Sequence, residues 1–332
     1  MKKWLITLIV TFVGSVLQLE PSPTAFSQSK DDATKLYQQG NDAYEHGRYQ
    51  EALAYYEQSL KISSSFNNKQ LIAANLINIG MVYSSFGSYE DALKYYEESL
   101  KIYKELNIPQ HIATSLNNIG MVYSSLGSYE DALKYYEESL KIRKELNIPQ
   151  DIATSLNNIG AVYDFLGRYE DALRYYEESL KIRKELNIPQ NIAESLNNIG
   201  MVYSSLGSYE DALKYYEESL KIDRELNIPQ DIATSLINMG WVYICLKDYT
   251  KAEELFKEAE IKKQSLGLKY TINHSMVELC LATKRYDEAL RMLEKKTPSL
   301  SDTPGYQIQY FTQRGRAFKG INSLKEASGD FL

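Results

Sequence analysis

The chain has 332 residues, 44% hydrophobic and 24% charged, with 28 tyrosines, three histidines and two cysteines. Its formal charge of -7 makes nucleic acid a poor partner, because that binding rests on lysines and arginines neutralising phosphates. His46, His111 and His274 stand at unlike positions, so no metal spacing or catalytic dyad can be drawn from them, and no metal or cofactor is expected.

The first segment, MKKWLITLIVTFVGSVLQLE, carries two lysines and then an apolar run from Trp4 to Leu19, followed by Pro21, Pro23 and the small residues Ala25 and Ser27. It reads as a secretory signal peptide over residues 1–27, cleaved after Ser27, with the rest exported to a periplasmic or extracellular space. The run falls short of the roughly 20 residues that span a bilayer, so membrane attachment is expected only if the segment stays uncleaved. Losing Lys2, Lys3 and Glu20 with it would move the charge to -8.

From Asp31 one pattern returns. Its marker alanines are Ala52, Ala92, Ala132, Ala172, Ala212, Ala252, Ala289 and Ala327, forty apart until the last two steps of 37 and 38. Repeats are expected near 31–70, 71–110, 111–150, 151–190, 191–230, 231–270 and 271–304, with an incomplete one at 305–332, all within a single array over 28–332. Segments 111–150 and 191–230 differ at four positions: His111/Asn191, Thr114/Glu194, Arg143/Asp223 and Lys144/Arg224. A fixed period near forty means stacked repeats, whose stability is summed from neighbours.

Within 111–150 the apolar positions Leu116, Ile119, Tyr123 and Leu126, then Tyr129, Ala132, Leu133, Tyr136 and Leu140, recur at helical spacing. Two amphipathic helices follow, joined as an antiparallel hairpin at Leu126-Gly127-Ser128. Ser128 is suited to cap the second helix, Asn147 to end it in the left-handed conformation, and Pro149 to open the next. Gly120 is expected to leave room for the second helix opposite Ala132, and Glu137 to pair with Lys141 on the outer face.

Gly120, Tyr123, Tyr129, Ala132 and Tyr136 resemble the tetratricopeptide repeat, in the longer, forty-residue form of kinesin light chains and spindle-orientation scaffolds. Leu116 stands where that family commonly has Trp. The resemblance implies an all-α, right-handed α-solenoid of stacked hairpins, a tetratricopeptide superhelix with the first helices along a concave face. It implies a non-enzymatic scaffold that binds an extended peptide or partner protein there, and no small-molecule substrate. Glu137, Glu138 and their copies are helix-surface residues rather than acid and base pairs, and Gly120 and Gly127 serve packing and turning rather than phosphate binding.

Carried onto this chain, the lining positions are Asn117, Asn118, Met121, Ser124 and Ser125, then Asn157, Asn158, Ala161, Asp164 and Phe165, then Asn197, Asn198, Met201, Ser204 and Ser205, with Asn78 and Asn238 extending the row. Tyr37, Gln38, Asn41 and Glu45 stand at one end, and Ile237, Trp241 and Ile244 at the other. Amide side chains both donate and accept, so a ladder of them can pair with a peptide backbone, and methionines add adaptable apolar contact. The same asparagines can instead bond to one another and hold adjacent first helices together. Trp241 can anchor a partner or cover the irregular seventh repeat. Cys245 is implied to face the groove and Cys280 the core. Most tyrosines fall on the apolar stripes and read as packing; Tyr95, Tyr135, Tyr175 and Tyr215 lie off the main stripe.

Tyr310 to Leu332 resembles the last repeat of bacterial proteins in which such arrays precede a caspase-like CHAT domain, which implies a sensor or regulatory arm as the alternative role. Self-association through the uncapped final hairpin is a further expectation.

Overall fold

The computed structural model of the chain describes residues 23–265, 274–294 and 304–321. The apolar run of the expected signal peptide, Pro298 of the last linker and Ala327 of the eighth repeat lie outside them. The described residues form fifteen α-helices: α1 Pro23–Glu45, α2 Tyr49–Ser65, α3 Lys69–Ser85, α4 Tyr89–Leu106, α5 Pro109–Ser125, α6 Tyr129–Glu145, α7 Pro149–Phe165, α8 Tyr169–Glu185, α9 Pro189–Ser205, α10 Tyr209–Leu226, α11 Pro229–Cys245, α12 Tyr249–Ser265, α13 His274–Ala282, α14 Tyr286–Glu294 and α15 Pro304–Gly320. They fall into two compact units, one ending at Leu146 and one beginning at Asn147.

The punctuation follows the local chemistry. Asn67, Asn107, Asn147, Asn187 and Asn227 take positive φ of 51 to 55° where second helices end, a conformation Asn adopts more readily than most side chains. Pro109, Pro149, Pro189 and Pro229 then open α5, α7, α9 and α11, where no amide hydrogen is needed. Gly87, Gly127, Gly167 and Gly207 turn each hairpin at φ of 69 to 76°. One expectation fails: Ser88, Ser128 and Ser208 hold the N-cap place, but their side chains make no capping bond, because ψ of 66 to 70° is not the extended conformation that aims the hydroxyl at the first amides.

Each unit is a stack of antiparallel hairpins in which every helix packs on its chain neighbours. First helices also meet the next first helix, α1 with α3 and α3 with α5 in one unit, and α7 with α9, α9 with α11, α11 with α13 and α13 with α15 in the other. Among the described residues second helices make no such approach, so within each unit the first helices lie on the inner side of the curve. Long side chains bridge the wider outer side: Lys104 to Glu138 at 3.9 Å, Lys184 to Glu218 at 3.5 Å and Arg224 to Glu258 at 2.7 Å. Glu138, Glu218 and Glu258 thus pair between repeats, where the sequence suggested Glu137 with Lys141 inside one helix; Lys94 with Asp91 and Arg174 with Asp171 do pair within a helix. Exposed pairs of this kind contribute about 0 to 1 kcal/mol each.

Two contacts recur through the hairpins. A Cβ added at Gly40, Gly80, Gly120, Gly160 or Gly200 would lie 2.5 to 2.9 Å from the ring of Tyr56, Tyr96, Tyr136, Tyr176 or Tyr216, and at Gly240 it would lie 2.3 Å from that of Phe256. The residue over Gly120 is therefore Tyr136, not Ala132, which is itself fully buried. Beside each tyrosine, Ser59, Ser99, Ser139, Ser179 and Ser219 donate from Oγ to the carbonyls of Ala33, Ala73, Ala113, Ala153 and Ala193, all at 2.8 Å. Burial pushes the pKa of Tyr136 well above the ordinary phenol range.

Gly120→Ala is expected to lower the free energy of unfolding by about 1 kcal/mol, because overpacking against a buried ring costs more than alanine's helix propensity returns. In a Tyr136→Ala background the same change should turn neutral or stabilising. Urea titration followed by circular dichroism of the four chains checks this.

Candidate partner-binding face

The inner face of each unit is built from first-helix side chains at fixed offsets from the packing glycine. The asparagines there are largely engaged with one another. In the second unit, Asn198 Nδ2 donates to Asn157 Oδ1 at 3.1 Å and Asn238 Nδ2 to Asn197 Oδ1 at 3.1 Å. The residue two before one glycine thus reaches the residue three before the previous glycine. Asn157 also donates from Nδ2 to Glu194 Oε1 at 3.1 Å, so both ends of its amide are used, and it is buried. In the first unit, Asn78 Nδ2 donates to Asn41 Oδ1 at 2.8 Å, and the Tyr56 hydroxyl donates to the same oxygen at 2.9 Å. Asn117 is buried, accepting from Arg143 at 3.5 Å and lying 3.6 Å from Met121 Sδ. Asn118 and Asn158 are half-buried at the matching place, and Asn158 has interactions of its own.

Beside the exposed Ser125 and Ser205, large apolar side chains stay open on this face: Met121 is 49% exposed in the first unit, Met201 42% and Phe165 68% in the second. Trp241 is half-buried, edge-on to Phe256 with ring centroids 6.0 Å apart, and packs with Ile237 and Ile244 on the cluster of Ala252, Phe256, Met276 and Leu279. Asp164 is half-buried, and burial raises its carboxyl pKa.

Tyr83, Tyr123, Tyr163 and Tyr203 stack on Tyr95, Tyr135, Tyr175 and Tyr215 at 5.3 or 5.4 Å, with planes 7 to 11° apart, so each off-stripe tyrosine is covered by a first-helix ring. Burial, and then the neighbouring phenol, raise the pKa of Tyr95, Tyr135 and Tyr215. Cys245 is exposed and Cys280 buried, both as free thiols, and burial pushes Cys280 up to about 11. Among the described residues no group of three His, Cys, Asp or Glu side chains can hold a metal, and no helix is long and apolar enough to cross a membrane.

A feature the sequence reading passed over lies between repeats, at the residue four beyond the buried serine. Tyr103 fills this slot in one repeat, stacked on His111 with centroids 4.6 Å apart. Arg183 fills it in another, fully enclosed, donating from one terminal nitrogen to the carbonyl of Asn191 and to Ser195 Oγ, both at 2.8 Å, with Glu194 at 3.2 Å. The next repeat puts Asp223 there, 2% exposed, with Oδ2 accepting from Ser235 at 3.3 Å and Ser219 at 3.5 Å. Burial first, and Asp231 second, raise its pKa to about 6, against smaller lowering by the two serines. Three of the four differences between segments 111–150 and 191–230 fall at slot-facing positions: His111/Asn191, Thr114/Glu194 and Arg143/Asp223. A difference list between near-identical repeats was the signal that could have found it.

A profile of the tetratricopeptide repeat matches residues 31–105, 111–185 and 191–260. No curated protein matches the chain in sequence. Among solved structures, the chain is similar to the apo form of the quorum sensor NprR from B. thuringiensis, with 18% identity, a TM-score of 0.65, and 92% of this chain and 96% of that one covered. It is also similar to the Rap conjugation gene regulator of the plasmid pLS20 in complex with the Phr* peptide, at 17% identity, TM-score 0.57 and coverage of 90% and 75%. A third, a putative kinesin light chain from Podosopora anserina with nearly identical repeats, gives 16% identity, TM-score 0.51 and coverage of 60% and 97%. These likenesses establish the fold.

Asp223 gives this slot a pH signature. A carboxyl whose pKa rises on folding stabilises the fold most below its unfolded value near 4, and that contribution is lost as pH rises through about 6. The stability difference between Asp223→Asn and the unchanged chain should therefore shift in favour of the variant by on the order of 2 kcal/mol between pH 4 and pH 8. Denaturant midpoints of both chains across that range measure it.

Proposed function

The chain belongs to the tetratricopeptide repeat family, and from that premise we propose that it is a non-enzymatic scaffold holding an extended peptide segment of a partner protein against the inner face of its first helices. The observation that carries this reading is the exposure of Phe165 and Met201 on the inner face of the second unit, where the neighbouring asparagines are already tied to one another. Apolar side chains on a rigid polar floor suit a ligand anchored by its own side chains, with amide edges left for occasional backbone contacts. Two of the similar folds fit such a role: one is described as a quorum sensor and the other was solved with a peptide bound.

The test is a peptide array probed with the full chain, followed by titration of the best sequences. Phe165→Ala and Met201→Ala together should weaken binding by about tenfold or more, with the helical signal and unfolding midpoint unchanged. Equal binding by the double variant moves the site elsewhere.

The apolar leader further supports an exported chain. Expressed in a bacterial host with its own N-terminus, the protein should be recovered from the periplasm or medium beginning at Gln28, which mass spectrometry reads directly. Retention in the cytoplasm with Met1 in place contradicts export.

A further inference from the structure

Between α9, α10 and α11 lies a cavity of about 520 Å³, walled among others by Glu194, Asn197, Ser219, Asp223, Asp231 and Ser235. That volume falls within the range of small-molecule sites, about 300 to 1,000 Å³. None of the side chains that line it is basic. Glu194 already has a partner in Arg183, so the uncompensated charge belongs to Asp223 and Asp231. Asp223 is the buried member, and its Oδ1 has no hydrogen-bond partner. A buried carboxylate oxygen left unpaired is costly, and a cation that reaches it recovers that cost.

One repeat earlier the molecule shows which cation suits the place. There the slot is filled from within by the guanidinium of Arg183, held by the hydroxyl of Ser195 and the carbonyl of Asn191. Forty residues on, Ser235 keeps its position, while Arg183, Asn191 and Glu194 have become Asp223, Asp231 and Thr234. The changes remove a guanidinium and the carboxylate beside it, leave the serine acceptor in place and put two carboxylates around it. A planar fork of N–H donors matches that set better than an ammonium, because it can address a carboxylate oxygen and a hydroxyl together.

We propose that the cavity walled by Asp223 binds a guanidinium group supplied by a ligand, replacing between these repeats the internal one that Arg183 supplies in the preceding pair. The chemistry is shared by the arginine side chain of a peptide and by a free guanidino amine. The site does not depend on what the inner face binds.

The test titrates the full chain with N-acetylarginine amide, standing for a peptide side chain, and with agmatine, standing for a free amine. N-acetylcitrulline amide, the neutral isostere, is the control, and two-dimensional NMR follows the backbone amides of Ser219, Asp223 and Ser235. At least one guanidinium compound should bind saturably with a Kd on the order of 1 mM, and the citrulline compound about tenfold more weakly. Whichever arginine-type probe binds better identifies the source. Asp223→Arg restores the residue of the two preceding repeats, so it should fold with the same helical signal and bind neither probe. Asp223→Asn should lose about tenfold in affinity. Equal binding of the citrulline compound, undiminished binding by Asp223→Arg, or no saturable binding up to about 10 mM overturns the proposal.

Discussion

The stack depends on a ring lying on a glycine. At Gly40, Gly80, Gly120, Gly160, Gly200 and Gly240 the second helix comes so close that an aromatic ring occupies the space a methyl group would need. The ring excludes water, and inside that dry contact a serine hydroxyl reaches the carbonyl of an alanine near the start of the first helix. One contact is steric and fixes the distance between the helices. The other is directional and fixes the register, since a 2.8 Å bond between residues 26 apart tolerates little sliding. In the sixth hairpin Phe256 and Ala259 replace the tyrosine and serine, so the steric lock survives there without the polar one.

With the hairpin fixed, the surfaces between repeats are free to differ. The asparagine pairs tie one first helix to the next and keep the inner face in register, while the slot on the second helix changes its contents from tyrosine to arginine to aspartate. Near-identity of the repeats makes this visible, because the frame around each slot is almost constant. The exceptions stand out against it: the exposed Met121, Phe165 and Met201 side chains, and the slot at Asp223, where the charge is inverted and one carboxylate oxygen has no hydrogen-bond partner.

Much of the frame was legible in the sequence because it depends on local chemistry. The left-handed asparagines and the prolines that open each first helix follow from backbone preferences within a few residues, and the forty-residue period sets the hairpins. What could not be read was anything that depends on stagger between helices. Tyr136 rather than Ala132 covers Gly120, since the side chain one turn further on lies over the glycine. Glu138 takes its partner from the repeat before, because the outer helices stand a long side chain apart. For the asparagines, the choice between a ligand and each other turns on an offset of one residue between adjacent first helices, which no single repeat encodes. Ser139 looked like an ordinary polar residue on an apolar stripe until the carbonyl of Ala113 appeared opposite it.

Within each unit the inner-face asparagines hold adjacent first helices together, which leaves recognition to other residues. A double-mutant cycle on Asn197 and Asn238, with each replaced by Ala singly and together and unfolding followed in urea, measures that coupling directly. The 3.1 Å bond between their amides predicts a coupling energy of about 1 kcal/mol. Strictly additive effects of the two substitutions would show the pair to be independent and return those side chains to the solvent-facing groove, contradicting the account.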